Sequence, residues 1–257
     1  MEIGVSTSCL YPQYTEDALT FLCQNGVKNI EIFFNTDCET ADGFVYDLQK
    51  IKERYGVNIV AVHSFACAYE TTLLFSEYER RFYDGIKLYN KMFAAAKELG
   101  AKVLSIHGSK HLNVDPQFYC DRFKTLSDEA AGFGVTLCQE NVRAYASQDC
   151  EFIKDMCEYL GESAAFTLDI KQCLRAGVQV FDMAKSMGKH IKHVHISDSD
   201  INSDCLLPFD GGFDFAKFFT LLKSFGYDKN CIIEVYKNAY QNQKQIIDGY
   251  NKMLKMV

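Results

Sequence analysis

Several features that define other classes of protein are missing from this chain. No apolar run is long enough to span a bilayer, and Met1–Tyr14 has no basic start followed by a long apolar core. The eleven cysteines are scattered and contain no C-x-x-C pair, which is typical of reduced, mostly buried thiols rather than of a disulfide framework. We therefore expect a cytoplasmic protein with no signal peptide and no membrane partner.

An excess of positive charge is also missing. The formal net charge is −7 and the pI is near 5.4, whereas nucleic-acid-binding proteins usually carry a basic surface. No low-complexity segment, charge block or flexible linker interrupts the chain. Apolar residues make up 48% and charged residues 24%, as in ordinary globular proteins. The composition predicts one folded domain over residues 1–257 and no nucleic-acid partner.

What the chain does contain is a regular alternation of short apolar runs and longer amphipathic stretches. The predicted strands are Ile3–Ser6, Asn29–Phe33, Asn58–His63, Lys102–His107, Val135–Glu140, Ala165–Asp169, Ile191–Ile196 and Cys231–Val235. The predicted helices are Glu16–Asn25, Gly43–Tyr55, Glu77–Leu99, Pro116–Phe133, Cys150–Leu160, Ala176–Met187, Phe213–Phe225 and Gln241–Lys255. Eight strand–helix repeats predict an α/β fold, a single (β/α)8 TIM barrel.

Two of the predicted connections are longer than the others. Ser64–Ser76 follows the third strand, and Ser197–Gly212 follows the seventh. Long connections in a compact barrel are usually functional, and both lie on the strand-to-helix side, where barrel enzymes place their active sites. We therefore expect both loops to border a functional site.

Four potential metal ligands each close one of the apolar runs in the second half of the chain. They are Glu140, Asp169, His195 and Glu234. Because the strand ends of a parallel barrel converge on one rim, we expect three carboxylates and one imidazole to meet there. Such a ligand set favours Mn²⁺, with Mg²⁺, Co²⁺ and Zn²⁺ as alternatives. The sequence therefore predicts a site for one divalent metal ion.

This ligand set suits chemistry next to a carbonyl group. A sugar or hydroxyketone offers a carbonyl oxygen and a neighbouring hydroxyl oxygen to one ion, which stabilises the enediolate formed when the C–H proton leaves. Glu140 and Glu234 belong to strands that lie apart in the ring, so we expect them to act as general base and general acid. Asp169 and His195 would be purely structural ligands. The prediction is a metal-dependent isomerase or epimerase of a small-molecule carbohydrate.

The motifs at these strand ends resemble those of the xylose isomerase-like TIM barrel superfamily, particularly its sugar phosphate isomerase/epimerase branch. The resemblance is carried by Glu140-Asn141, Leu168-Asp169, His195-Ile-Ser-Asp198, Glu234 and the Leu207–Phe215 segment. It spans essentially the whole chain, and its specificity comes from the order and spacing of short motifs. The resemblance implies that Glu140, Asp169, His195 and Glu234 are the metal ligands and that the two glutamates transfer the proton.

The chain departs from this family pattern three residues after Asp169. Many members have a histidine there that contacts the substrate or an additional metal, whereas this chain has Gln172. A glutamine can donate a hydrogen bond to a substrate hydroxyl, but it is a poor metal ligand and cannot shuttle a proton. The departure leaves the single-metal site intact and the identity of the sugar open.

Five further residues are candidates for roles around the metal site. His63 and His107 end two strands and are predicted to bind substrate, with a hydrogen-bonded core histidine as the alternative; in the apurinic endonucleases of the superfamily, equivalent histidines hold a further zinc. Arg143 and Lys171 closely follow metal ligands and could recognise a phosphate or carboxylate, although solvated surface charge is commoner. Glu31 alternates with apolar neighbours, so it either orients another side chain or touches the substrate.

Other functions stay compatible with these residues. A dehydratase acting on an inosose-type ketone would use the same base and the same ion. An apurinic endonuclease-like phosphodiesterase is disfavoured by Gln172 and by the acidic net charge, since duplex binding relies on several Lys and Arg contacts. A barrel that only senses a sugar is disfavoured because all four ligands are present. Barrels of this kind often form homo-oligomers, but no segment of the sequence identifies an interface.

Overall fold

Eight short apolar runs become the parallel strands of a closed barrel. The computed structural model describes all 257 residues. Its strands are β1 (Glu2–Ser6), β2 (Asn29–Phe33), β3 (Asn58–His63), β4 (Val103–Ile106), β5 (Thr136–Glu140), β6 (Phe166–Asp169), β7 (Ile191–Ile196) and β8 (Asn230–Ile233). Each strand pairs with its neighbours in chain order, and β8 pairs with β1 to close the ring. The predicted (β/α)8 TIM barrel is confirmed.

Ten α-helices surround the strands and bury their apolar faces against them. They are α1 (Thr15–Gln24), α2 (Asp42–Tyr55), α3 (Cys67–Leu73), α4 (Glu79–Leu99), α5 (Pro116–Gly132), α6 (Cys150–Leu160), α7 (Ile170–Ala176), α8 (Val180–Met187), α9 (Phe215–Ser224) and α10 (Lys244–Met253). The main core lies between this helical layer and the barrel. None of the helices combines the length and apolarity needed to cross a membrane, and all eleven cysteines are free thiols.

Local sequence signals determine where several helices begin and end. The Asp115 side chain accepts a hydrogen bond from the Phe118 amide at 2.7 Å, and Pro116 occupies the first turn of α5. At the other end of a repeat, α2 stops at Gly56, whose φ of 59° lies in the left-handed region. Glycine adopts this conformation without a Cβ clash, so the chain can turn directly into β3.

The structure corrects two of the predicted boundaries. The connection Ser64–Ser76, predicted to be a loop, contains the seven-residue helix α3. The predicted helix Ala176–Met187 begins only at Val180, as α8, and a separate helix, α7, precedes it where the sequence predicted none and ends at Gly177, whose φ is 71°. Helix α7 therefore begins directly after Asp169, whose side chain accepts a hydrogen bond from the Gln172 amide at 2.9 Å. This cap holds the Asp169 carboxylate at the rim.

The long connection between β7 and α9 is held together by one buried carboxylate. Asp198 accepts hydrogen bonds of 2.7 to 3.1 Å from the backbone amides of Ser199, Phe209, Gly211 and Phe213. A buried carboxylate is stable only with several such donors, so the loop closes around it. A Cβ at Gly211 would lie only 2.3 Å from the Ser199 carbonyl oxygen and 2.6 Å from Asp198 Oδ1. The close approach requires glycine there.

We predict that Gly211→Ala destabilises the protein by roughly 1–3 kcal/mol, the usual cost of overpacking, because its methyl group must displace backbone atoms. Gly212→Ala is the matched control, since a Cβ there meets nothing within 4 Å. The control should stay within about 0.5 kcal/mol of the parent. Chemical unfolding followed by circular dichroism measures both. Equal stability of the two variants would contradict the close packing described for this loop.

Candidate functional site

The ends of β5 to β8 bring four potential metal ligands together at one rim of the barrel. The ligand atoms of this cluster all lie within 4.8 Å of one another; its members are Glu140, Asp169, His195 and Glu234. The Nδ1 atom of His195 is 3.4 Å from Glu140 Oε1, 3.5 Å from Asp169 Oδ2 and 3.3 Å from Glu234 Oε2. All four residues are buried, with Glu234 the most exposed at 8%. The cluster is therefore largely shielded from water.

The orientation of His195 tests whether this cluster fits a metal ion. Its Nε2 atom lies 3.0 Å from Glu31 Oε2, and since an ionised carboxylate only accepts, Nε2 carries the proton. Nδ1 faces three carboxylate oxygens without a well-formed hydrogen bond to any of them. Burial opposes the charged form of His195, but Glu31 and Glu234 raise its pKa well above the usual value, so this group of buried carboxylates favours a positive charge at Nδ1, from a proton or from a metal ion that displaces it. The residues fit a divalent ion held by one nitrogen and three oxygens.

Glu31 supports this cluster from inside the barrel. Its Oε2 atom accepts hydrogen bonds from His193 Nε2 at 2.8 Å and from His195 Nε2 at 3.0 Å. Burial opposes ionisation of Glu31, but the two imidazoles outweigh it and hold its pKa well below the usual value. A carboxylate behind a histidine ligand fixes the ring orientation and the tautomer. Of the two roles that the sequence left open for Glu31, the structure favours orientation of another side chain.

Glu140 is held by histidines on the side facing away from His195. His63 Nε2 lies 3.1 Å and His107 Nε2 3.3 Å from Glu140 Oε2. Burial would raise the pKa of Glu140, but the surrounding imidazoles keep it well below its usual value. Burial also disfavours the charged form of His107, yet Cys67 and Glu140 together raise its pKa to about 10. Glu140 is therefore an ionised carboxylate among positively charged groups.

The cluster opens into a cavity of about 300 Å³ that reaches the rim. Its wall is partly aromatic, with Tyr11, Phe33 and Tyr236, and partly polar, with both predicted substrate-binding histidines. This volume is at the small end of the range for ligand pockets and suits a monosaccharide-sized molecule. A larger cavity of about 780 Å³ lies at the opposite end of the barrel, around Met1 and Asn230. The smaller cavity is therefore the candidate site because of the carboxylates and histidines that line it, and not because of its volume.

The remaining predicted substrate-binding residues lie in two different settings. Gln172 lines the cavity and also an adjoining opening that contains the exposed Arg143. The Gln172 Oε1 atom accepts a hydrogen bond from the Arg143 amide at 3.2 Å, which joins the loop after β5 to helix α7. Lys171 is only 1% exposed, and its ammonium contacts Asp169 Oδ2 and Glu234 Oε2. These contacts do not favour the predicted recognition of a substrate phosphate or carboxylate by Lys171.

Two residues near the site were not found from the sequence. Ser8, just after β1, donates a hydrogen bond of 3.3 Å to Glu234 Oε1. Glu70, buried in α3, accepts the Gly108 amide at 2.5 Å and so positions the residue that follows His107. Ser8 could have been identified from the sequence, because it is a polar residue close to the end of a predicted strand. Glu70 had no such signal, because its burial depends on a helix where the sequence predicted a loop.

Residues 22–256 match the model of the family described as xylose isomerase-like TIM barrel. The match covers most of the chain, so this protein belongs to that family.

Three solved structures are similar over the whole chain. The D-psicose 3-epimerase from Clostridium cellulolyticum H10, solved with D-tagatose, has a TM-score of 0.81 and 12% identity over 99% of this chain and 97% of that one. The 3-keto-D-glucoside 4-epimerase from E. coli has a TM-score of 0.76 and 17% identity over 99% of both chains. The AP endonuclease, family 2, from Brucella melitensis has a TM-score of 0.78 and 15% identity over 99% and 98%. At these identities the likeness shows the fold alone.

We predict that Glu31→Gln weakens Mn²⁺ binding about 10- to 100-fold, as is usual when the carboxylate behind a histidine ligand is lost. The amide keeps an acceptor oxygen but lacks the negative charge that both imidazoles share at Oε2, so the Nε2–H tautomer of His195 is held less strongly. Isothermal titration calorimetry measures the affinity. Glu39→Gln is the control, because Glu39 is also a buried carboxylate but accepts from Thr15 and Asn35. An equal loss in both variants would show that Glu31 does not act through His195.

Proposed function

We propose that this protein is a divalent-metal-dependent isomerase or epimerase of a small sugar or related ketose, and that it transfers a proton through an enediolate. The observation that supports this most strongly is the convergence of three buried carboxylates on Nδ1 of His195. We propose Glu140, Asp169, His195 and Glu234 as the ligands of one ion, with Mn²⁺ the best match to the donor set. When bound, the ion would polarise the substrate carbonyl and stabilise developing negative charge.

The two glutamates are the proposed proton-transfer groups. In each, one oxygen faces His195 and the other is held by donors of the cavity wall. Glu140 Oε2 accepts from the two histidines described above, and Glu234 Oε1 accepts from Ser8. We assign proton transfer to these second oxygens. Burial opposes ionisation of Glu234, but Lys171 and His195 lower its pKa, so both glutamates can start as bases.

The route of the proton decides which reaction results. A glutamate that removes the C–H proton becomes an acid, and return of that proton to the neighbouring carbon isomerises the sugar. If the opposite glutamate instead delivers a proton taken from solvent, the configuration at the carbon is inverted and the product is an epimer. The two glutamates enter from β5 and from the end of β8, which favours access to both faces.

Both the cavity and the similar structures support the proposed substrate class. The cavity has an aromatic wall and is also lined by His63, His107 and Gln172, and aromatic faces with a few polar groups suit a sugar. Two of the similar structures are epimerases of sugar carbonyl compounds. We propose His63, His107, Gln172 and Arg143 as substrate-binding residues, with Arg143 outside the cavity for a longer or charged substituent.

We predict that the Mn²⁺-reconstituted protein exchanges a carbon-bound proton of at least one ketose for deuterium in D₂O. A panel of free and phosphorylated ketoses and inososes is incubated, the ion is chelated, and proton NMR identifies the labelled carbon. Glu140→Gln and Glu234→Gln should each lower the exchange rate by about 100-fold or more, the usual contribution of a general acid or base. Glu162→Gln is the control, because Glu162 is exposed, pairs with Lys189 and does not line the cavity.

The identity of the product distinguishes epimerase, isomerase and dehydratase activity. A ketose with one inverted centre indicates an epimerase, an aldose indicates an isomerase, and loss of a β-hydroxyl indicates a dehydratase. Retained exchange in both glutamine variants would contradict the roles of the glutamates. Absence of exchange across the panel, with metal bound, would rule out this substrate class.

We further predict no specific binding of duplex DNA, either plain or with an abasic site, even at low salt. The net charge of −7 provides little of the counterion release that drives duplex binding, and Gln172 replaces a histidine that a further metal would need. Fluorescence anisotropy with a labelled duplex measures binding, and a gel assay measures cleavage. Metal-dependent cutting at the abasic site would overturn the sugar hypothesis in favour of a phosphodiesterase.

A further inference from the structure

Lys171 is a cation built into the carboxylate cluster. It lies in α7, two residues after Asp169, and is among the largest fully buried side chains of the protein. Its ammonium contacts Asp169 Oδ2 and Glu234 Oε2 at the same time. A lysine is buried to this extent only when its charge is paired. The two carboxylates therefore explain why Lys171 can point into the barrel rim rather than toward solvent.

The oxygens that Lys171 contacts are the same ones that face the histidine ligand. Asp169 Oδ2 is 3.5 Å and Glu234 Oε2 is 3.3 Å from His195 Nδ1. Two of the three oxygens proposed to hold the ion therefore also accept hydrogen bonds from an ammonium. An oxygen that bonds both cations donates less of its charge to each, and two cations a few ångströms apart repel each other.

We propose that Lys171 is a resident cation of the metal centre, which shares the oxygens of Asp169 and Glu234 with the divalent ion and makes that ion weakly held and exchangeable. The inference depends on the metal site proposed above. Lys171 also lines the cavity, so the site retains a positive charge beside the substrate whether or not the ion is bound.

Removal of the lysine charge then has opposite effects in the two states of the protein. Without the ion, the carboxylates of Asp169 and Glu234 lose their buried partner, which is destabilising. With the ion, the repulsion between two neighbouring cations is gone and both oxygens are free to bind the metal. A lysine that served only for packing would change both states in the same direction.

The test is Lys171→Met, which keeps the length of the side chain and removes the charge. We expect calorimetry to show Mn²⁺ binding tighter by at least about tenfold. Thermal unfolding in EDTA should occur several degrees lower than in the parent, because two buried carboxylates lose their partner, and excess Mn²⁺ should restore it. Lys110→Met is the matched control, because Lys110 lies at the same rim but is exposed and outside the cavity.

The possible results separate this inference from the function on which it rests. Equal or weaker Mn²⁺ binding by Lys171→Met, with binding intact in the parent, would overturn the role of Lys171 and leave the metal site standing. Absence of divalent-ion binding in both proteins would overturn both. Lys171→Gln, which keeps hydrogen-bond donors without the charge, should also bind Mn²⁺ more tightly, and it replaces the Met variant if that one does not fold.

Discussion

Three carboxylates buried within a few ångströms of one another form the constraint on which the rest of this site depends. Their mutual repulsion and lost hydration must be offset by positive charge and hydrogen-bond donors. The surrounding elements supply them: imidazoles follow or end β3, β4 and β7, and an ammonium comes from α7. The proposed metal ion would add to the positive charge that these side chains already place around the carboxylates. Loss of one partner therefore affects the others, because each oxygen is shared between neighbours.

Three carboxylates outside the cluster hold the segments around the site in position. Glu31 fixes the tautomer of His195 from inside the barrel, Asp198 holds the loop that follows β7, and Glu70 holds the backbone after His107. All three are buried carboxylates with several donors. Each fixes a rim segment to a rigid part of the fold, which is how a barrel can hold reactive groups within the small tolerances that catalysis requires.

The segment after β6 joins the carboxylate cluster to the cavity. Lys171 contacts Asp169 and Glu234 there, and Gln172 lies between the cavity and Arg143. Substrate selection on a shared fold is determined by such loop residues rather than by the barrel. Under the proposed function, we therefore expect the substrate preference of this protein to be determined largely in this segment.

The sequence by itself determined the barrel, the order of its strands and the four residues at their ends, because period-2 and period-3.6 patterns and strand-end positions are local properties of the chain. It predicted no helix where α3 and α7 lie, since helices of seven residues give weak local signals. Only the tertiary structure decided that Glu31 lies behind His195 and that Lys171 faces inward to two carboxylates. The first contact joins residues that are distant in the chain, and the second depends on where α7 starts. Both are stabilised by burial and charge pairing, which cannot be read from a local sequence pattern.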